Sequence, residues 1–151
     1  MTSQNLALVS MALEGKLGRQ DRLAILRQCE DLDDDALLLL YTANLKKPLV
    51  GLLFQWVLGF CGGGRFYKGD IVRGMLYIAA FIGVCALFVA GAVAAENGDE
   101  SLLGASFILV GLCYIVLLAD FYFIYKGIQR DNLQKITQAL AFAKKKKANL
   151  G

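Results

Sequence analysis

The chain has 151 residues and a formal net charge of +3, and 57% of its residues are hydrophobic. About half would be usual for a soluble domain, and a chain this short has little core in which to bury the excess. It contains no histidine and its four cysteines are widely spaced, which argues against a zinc site. These properties predict an all-α integral membrane protein with no metal site, no cofactor and no catalytic centre.

Residues 1–47 are predicted to form cytosolic helices. Apolar side chains recur there at helical spacing, first as Leu6, Val9 and Leu13 and then as Leu23, Leu26 and Cys29. The acidic run 33–35 precedes a further apolar stretch, where acidic residues suit the first turn of a helix. The N-terminus lacks the basic region and apolar core of a signal peptide, so we expect it to stay in the cytosol.

The membrane domain is predicted to cover residues 48–125, beginning with a short apolar segment over 49–61. Segments of about 10–14 residues are re-entrant or interfacial more often than spanning. Three glycines follow, so we predict a re-entrant helix and glycine turn over 49–64 and a loop over 65–70. If residues 49–61 crossed the bilayer, the basic residues of 65–73 would lie outside, against the positive-inside rule.

Two later segments are long enough to cross the membrane. Residues 71–95 include 22 uncharged residues after Arg73, and residues 102–125 are interrupted by charge only at Asp120. About 20 apolar residues cross the hydrocarbon core, so both segments are predicted to be spans. The acidic connection 96–101 predicts an external turn between them, which places both termini in the cytoplasm.

Residues 126–151 are predicted to form a basic amphipathic helix and tail. Leu133, Ile136 and Leu140 share one helical face. A basic run follows, consisting of Lys144, Lys145, Lys146 and Lys147. Such a run beside a membrane either solvates and orients the chain or contacts anionic lipid headgroups.

Three charged residues stand out near the predicted cytoplasmic boundary, namely Arg65, Arg73 and Asp120. A carboxylate at the centre of a spanning helix costs about 2.5–3.5 kcal/mol on insertion scales. An ion pair between Asp120 and one of the arginines offsets this cost, and we expect that pair to be structural. Our hypothesis is that Asp120 is coupled to Arg65. The alternatives are a protonatable Asp120 in a proton or cation path and simple exposure of Asp120 at the membrane interface.

Small residues and cysteines mark the predicted spans. Ala86, Ala90 and Ala94 repeat at every fourth position, and Gly104 and Gly111 lie on the partner helix. Small residues at this spacing allow close helix packing, either within the hairpin or between copies. Since one hairpin buries little surface, we predict a homo-oligomer. The cysteines of the apolar segments, Cys61, Cys85 and Cys113, are expected to be small buried hydrophobes.

From residue 47 onward the sequence presents an ordered set of motifs. A basic-proline entry leads to an apolar stretch ending in small residues, an RFY-x-G core, a glycine-containing helix and an acidic residue late in the last helix. The residues that carry this pattern are Pro48, Gly63, Arg65, Phe66, Tyr67, Gly69, Asp70, Gly74 and Asp120. The pattern resembles the bacterial two-transmembrane-helix ("TM-two") domain family over roughly residues 30–136.

This resemblance implies a helical membrane fold and a membrane location, and it implies no settled biochemical activity. The chain departs from the family at Gly64, where many members have Asp or His. The distance from Gly69 to Asp120 is also roughly twice the usual one, which is long enough here for a complete two-span hairpin.

The sequence therefore favours a non-catalytic membrane protein that acts through protein–protein contacts, in an adaptor, assembly or immunity-type role. The expected partners are the lipid bilayer, further copies of the chain and an unidentified protein, with no nucleic acid. The alternative is an oligomeric pore or a proton- or cation-coupled transporter that uses Asp120. A bacterial inner membrane is the predicted location.

Overall fold

The computed structural model describes residues 3–29, 40, 43–98 and 100–149, without the side chains of residues 3–6 and 147. All regular secondary structure in these residues is helical, which confirms the all-α prediction. The helices are α1 (Ser3–Leu13), α2 (Arg19–Cys29), α3 (Pro48–Leu58), a 3₁₀ helix η1 (Gly59–Cys61), α4 (Gly63–Lys68), α5 (Ile71–Glu96) and α6 (Ser101–Ala148). The predicted helix start at the acidic run 33–35 lies outside the described residues.

The chain divides into two compact units. The terminal unit consists of residues 1–49 and 126–151, and the central unit consists of residues 50–125. Helix α6 supplies residues to both. Each unit has its own set of buried side chains.

The terminal unit has an apolar core formed by α1, α2 and the C-terminal part of α6. Its buried members are Val9, Leu13, Leu17, Ile25, Cys29, Leu40, Ile136, Leu140 and Ala143. Ile136 and Leu140, which the sequence places on one helical face, are both buried, and Leu133 is partly buried against the same core. The helical repeat thus brings apolar side chains from both ends of the chain into one cluster.

A buried amide links three segments of the terminal unit. Asn132 is 1% exposed, and its Nδ2 donates to the carbonyl oxygens of Lys16 at 2.9 Å and Lys46 at 2.7 Å. Its Oδ1 accepts from the Lys46 N–H at 3.0 Å. Because these bonds satisfy the amide on both sides, Asn132 fixes the chain after α1 and the chain before α3 against α6.

The central unit contains the two predicted spans as α5 and the first half of α6. Both are long and apolar enough to cross a membrane, and only 6% of the most apolar stretch of α5 and 11% of that of α6 is buried. The central helix of a soluble protein would be mostly buried. The low burial therefore favours lipid as the surroundings of these helices.

The prediction that the cysteines of the apolar segments are buried was wrong. Cys61 and Cys85 are exposed and Cys113 is partly exposed, whereas Cys29 of the terminal unit is buried. The reason is that apolar side chains in a spanning helix have no need of a protein core, since lipid is as apolar as they are.

The chain between α3 and α5 is more helical than predicted. Residues 65–70 were expected to form a loop, but Gly63–Lys68 forms the short helix α4. It is bounded by two left-handed glycines, Gly62 at φ +69° and Gly69 at φ +105°. Glycine adopts this conformation without a Cβ penalty. Gly62 and Gly69 therefore cap a short helix at its two ends, which the charged sequence of residues 65–68 did not predict.

Candidate functional site

A buried ion pair joins α4 to α6. The Arg65 Nε donates to the Asp120 Oδ2 at 2.9 Å, and the Arg65 Nη2 donates to the Asp120 Oδ1. Arg65 is 7% exposed and Asp120 is 4% exposed. Two parallel N–H···O bonds of this kind fix the orientation of both side chains as well as their separation.

Three cationic side chains lie close to the carboxylate of Asp70, the residue before α5. Its Oδ2 accepts from the Lys68 Nζ at 2.9 Å and from the Arg65 Nη1 at 3.1 Å, and the Arg73 Nη1 lies 3.6 Å away. Partial burial raises the pKa of the Asp70 carboxyl. The hydrogen bonds and charges of Lys68, Arg65 and Arg73 outweigh this effect, so the pKa lies below its usual value.

Arg65 therefore connects two carboxylates, one before α5 and one in α6. Burial lowers the pKa of the Arg65 guanidinium, but its hydrogen bond with Asp120 and the charge of that carboxylate raise the pKa above its usual value. The side chain of Tyr77 in α5 also lies close to Asp120 and interacts with it. The result is a continuous polar cluster, which we call the Arg65 cluster: Arg65, Lys68, Asp70, Tyr77 and Asp120.

Glycines permit the close packing around this cluster. A Cβ on Gly64 would lie 2.7 Å from the Ile124 Cδ1 and 2.8 Å from the Gln55 Cβ. A Cβ on Gly74 would lie 2.7 Å from the Phe66 ring. The absence of side chains at these positions lets α4 approach its neighbours closely enough for the Arg65 guanidinium to reach Asp120.

Gln55 of α3 adds a buried amide beside the cluster. Its Oε1 accepts from the Gly64 N–H at 3.2 Å, and the side chain is fully buried. Its Nε2 is the only buried side-chain nitrogen or oxygen without a hydrogen-bond partner in the part of the chain that the structure describes. Sequence reasoning missed Gln55, although it is the lone polar residue within 49–61 and that isolation was the available signal.

The other predicted residues lie apart from the Arg65–Asp120 contact. Arg73 is exposed and its nearest carboxylate is Asp70. Pro48 begins α3, a position where its fixed φ suits a helix. Tyr67 stacks on Phe54 with ring centroids 5.5 Å apart. Lys144, Lys145 and Lys146 are exposed in the terminal unit, and the side chain of Lys147 lies outside the described residues.

Comparison with known families gives a match in the middle of the chain. Residues 44–91 match the family model of the TM2 domain. The chain carries a TM2 domain. The resemblance to the two-transmembrane-helix family is thus confirmed for these residues. No curated protein and no solved structure matches the chain significantly.

The TM2 domain contains most of the Arg65 cluster. Its matched residues run from the chain before α3 to Gly91 of α5 and therefore include Arg65, Asp70 and Tyr77. Asp120 lies outside the match, in α6. Together, the TM2 domain and the two long exposed apolar helices indicate an integral membrane protein.

We expect Asp70 to contribute to stability in a pH-dependent way. Its pKa is lower in the folded protein, so its contribution is complete above the unfolded value of about 3.9 and is lost as the pH falls through the folded value. Asp70→Asn should lower the free energy of unfolding by about 1 kcal/mol at neutral pH and flatten its decline below about pH 4.

Thermal unfolding in detergent between pH 3 and pH 7 measures both effects. Glu96→Gln, at an exposed carboxylate outside the cluster, is the control. An Asp70→Asn variant whose stability depends on pH as steeply as the wild type would contradict the assignment.

Proposed function

We propose that this is a non-catalytic membrane protein that acts through protein–protein contacts, in an adaptor, assembly or immunity-type role. The observation that carries the proposal is the buried Arg65–Asp120 ion pair. Its carboxylate is the charged group that interrupts the second predicted span, and both of its oxygens accept from the guanidinium. A carboxylate held in this way supports the packing of α4 against α6 and is not presented to a substrate.

The same geometry weakens the alternative of a pore or transporter that uses Asp120. A passing proton or cation would have to displace Arg65, which is itself 7% exposed. Displacement would leave a buried guanidinium without its main partner, which is costly in an apolar environment. Ion flux in proteoliposomes that disappears in Asp120→Asn, with the variant still folded, would reverse this ranking.

We place the surface that contacts a partner protein on α1 of the terminal unit. Leu8 and Met11 are 49% and 69% exposed, while Val9 and Leu13 of the same helix face the core. Two large apolar side chains three residues apart lie on one helical face. Their exposure in a unit that has its own core supports a protein contact on this face.

Cross-linked co-purification from native membranes tests this function. We expect the wild type to recover a second protein in stoichiometric amount and a Leu8→Gln/Met11→Gln variant to lose it. Gln28→Ala, at an exposed position of α2, is the matched control and should retain the partner. Recovery of this protein alone from wild-type membranes, or equal recovery of the partner with the α1 variant, would contradict the proposal.

We also infer that α3 and η1 form a re-entrant or interfacial segment, and that the N-terminus and the C-terminus of the chain both lie in the cytoplasm. Helix α3 has 11 residues, or about 16 Å at 1.5 Å per residue, against a hydrocarbon core of about 30 Å. The basic residues of 65–73 and 126–151 then share one side, and the acidic turn lies on the other. Terminal reporter fusions that lie on opposite sides would contradict this topology.

We also propose that the chain forms a homo-oligomer and that it lies in a bacterial inner membrane. A Cβ added to Gly104 or Gly111 of α6 would meet nothing within 4 Å, so packing of α5 on α6 does not account for these small residues. Open small-residue positions on spanning helices suit contact with another copy. Native mass spectrometry from nanodiscs that gives only monomer would count against self-association.

A further inference from the structure

A cavity of about 530 Å³ lies between α5 and α6 in the central unit. Tyr77, Ala80 and Val84 line it from α5, and Val110, Cys113 and Val116 line it from α6. Phe60 of η1 also borders it. The volume lies within the range of about 300–1,000 Å³ that is typical of small-molecule sites.

Contacts near the external turn hold α5 and α6 together at one end of the cavity. A Cβ on Gly91 would lie 3.0 Å from the Leu103 Cα, and the rings of Phe88 and Phe107 have centroids 5.3 Å apart. The Ser106 hydroxyl, which donates to Leu102, also lies 3.3 Å from the Leu87 carbonyl oxygen.

At the other end, η1 and the glycine after it contact both helices. A Cβ on Gly59 would lie 3.0 Å from the Leu117 Cδ1 of α6, and a Cβ on Gly62 would lie 3.0 Å from Gly74 and Tyr77 of α5. Phe60 and Phe81 also contact each other there, with ring centroids 6.0 Å apart. The cavity is thus bounded at both ends by close contacts, several of them to backbone atoms, which makes it part of the fold.

The lining suits hydrocarbon and does not suit water. Its one side chain with a polar oxygen is that of Tyr77, and this side chain interacts with Asp120 of the Arg65 cluster. A buried water needs about two to four polar partners, which this lining does not offer. Since the two helices are exposed over nearly all of their apolar stretches, lipid chains would surround the cavity in a bilayer.

The close contacts at the two ends of the cavity decide between a lipid chain and a helix of a second copy. An α-helix is rigid and has a diameter of about 10 Å with side chains, so it needs a groove that is open at its ends. A hydrocarbon chain is flexible and far thinner than a helix, so it fits between these contacts. We propose that this cavity binds one acyl chain of a membrane phospholipid.

Photo-labelling with a defined lipid tests the proposal. The full chain is reconstituted in vesicles of phosphatidylcholine that contains a small fraction carrying a diazirine on one acyl chain, and labelled peptides are mapped by mass spectrometry. Wild type should be labelled at the lining residues around Val84 and Cys113. Ala80→Phe should lower this labelling by about tenfold, because the ring occupies the space of the chain.

Ala79→Phe is the matched control, since Ala79 is exposed on the same helix and does not line the cavity. It should leave the labelling of the lining unchanged. Equal labelling of the lining in the two variants would overturn the proposal. So would a lipid-free dimer of the wild type that Ala80→Phe dissociates, which would assign the cavity to side chains of a second copy.

A second measurement uses the wild type alone and does not depend on the folding of a variant. Cys113 lines the cavity, and Cys85 is exposed on α5 outside it. In delipidated detergent solution, adding phosphatidylcholine should slow the reaction of N-ethylmaleimide with Cys113 several-fold and leave that with Cys85 unchanged. Equal slowing of the two thiols, or slowing of neither, would contradict binding in the cavity.

Discussion

Replacing Arg65 with alanine is expected to lower the free energy of unfolding by about 3–5 kcal/mol, because it leaves the buried Asp120 carboxylate without its guanidinium partner. Asp120→Ala should have an effect of similar size for the converse reason. The measurement is thermal unfolding in detergent of the wild type, the two single variants and the double variant.

The double variant distinguishes an ion pair from two independent contributions. If Arg65 and Asp120 stabilise each other, the double variant should lose less than the sum of the single losses, with a coupling of about 1–3 kcal/mol. Arg73→Ala is the control, since its guanidinium is exposed and 3.6 Å from Asp70, and it should cost less than about 1 kcal/mol. Additive losses at Arg65 and Asp120 would rule out the pairing.

Gly63→Ala should be the most damaging of the single-methyl substitutions in this protein. The added Cβ would lie 2.6 Å from the Leu58 Cβ and 2.7 Å from the Phe54 carbonyl oxygen, so α3 and α4 would have to move apart. Because one obstruction is a backbone atom, we expect a loss of about 2–3 kcal/mol. Denaturation in mixed micelles, followed by circular dichroism, measures it.

Gly83→Ala is the matched substitution in open space. Nothing lies within 4 Å of its added Cβ, and alanine is the better helix former, so the variant should be as stable as the wild type or more stable by up to about 1 kcal/mol. If the two glycine variants have equal stability, the close contact between α3 and α4 does not exist.

The buried position of Arg65 affects how a partner should be sought. A variant at Arg65 changes the stability of the central unit, so loss of a partner in Arg65→Ala would not locate a contact surface. The accessible candidates are the exposed face of α1 and the basic residues Lys144–Lys146. For this reason the co-purification experiment uses Leu8 and Met11.

A carboxylate within a predicted span needs a cation, and this requirement was evident from the sequence. Arg65 was also the predicted cation, although Arg65 and Arg73 lie equally near the same predicted boundary. The choice depends on the turns at Gly62 and Gly69, which direct α4 so that Arg65 reaches Asp120 and Arg73 stays exposed near Asp70. Two left-handed glycines thus determine the interaction between Arg65 and Asp120, which lie 55 residues apart in the sequence.

The sequence by itself determined the membrane character, the helical class and the two long apolar helices, because preference for lipid and helix length follow from residues close together in the chain. Only the tertiary structure decided the features that depend on the distances between distant residues: the two-bond geometry of the Arg65–Asp120 pair, the amide of Asn132 that joins three segments, and the cavity between α5 and α6. Each of these depends on backbone distances between separate helices, and such distances are set by close packing at a few glycines that no local pattern distinguishes from ordinary turn residues.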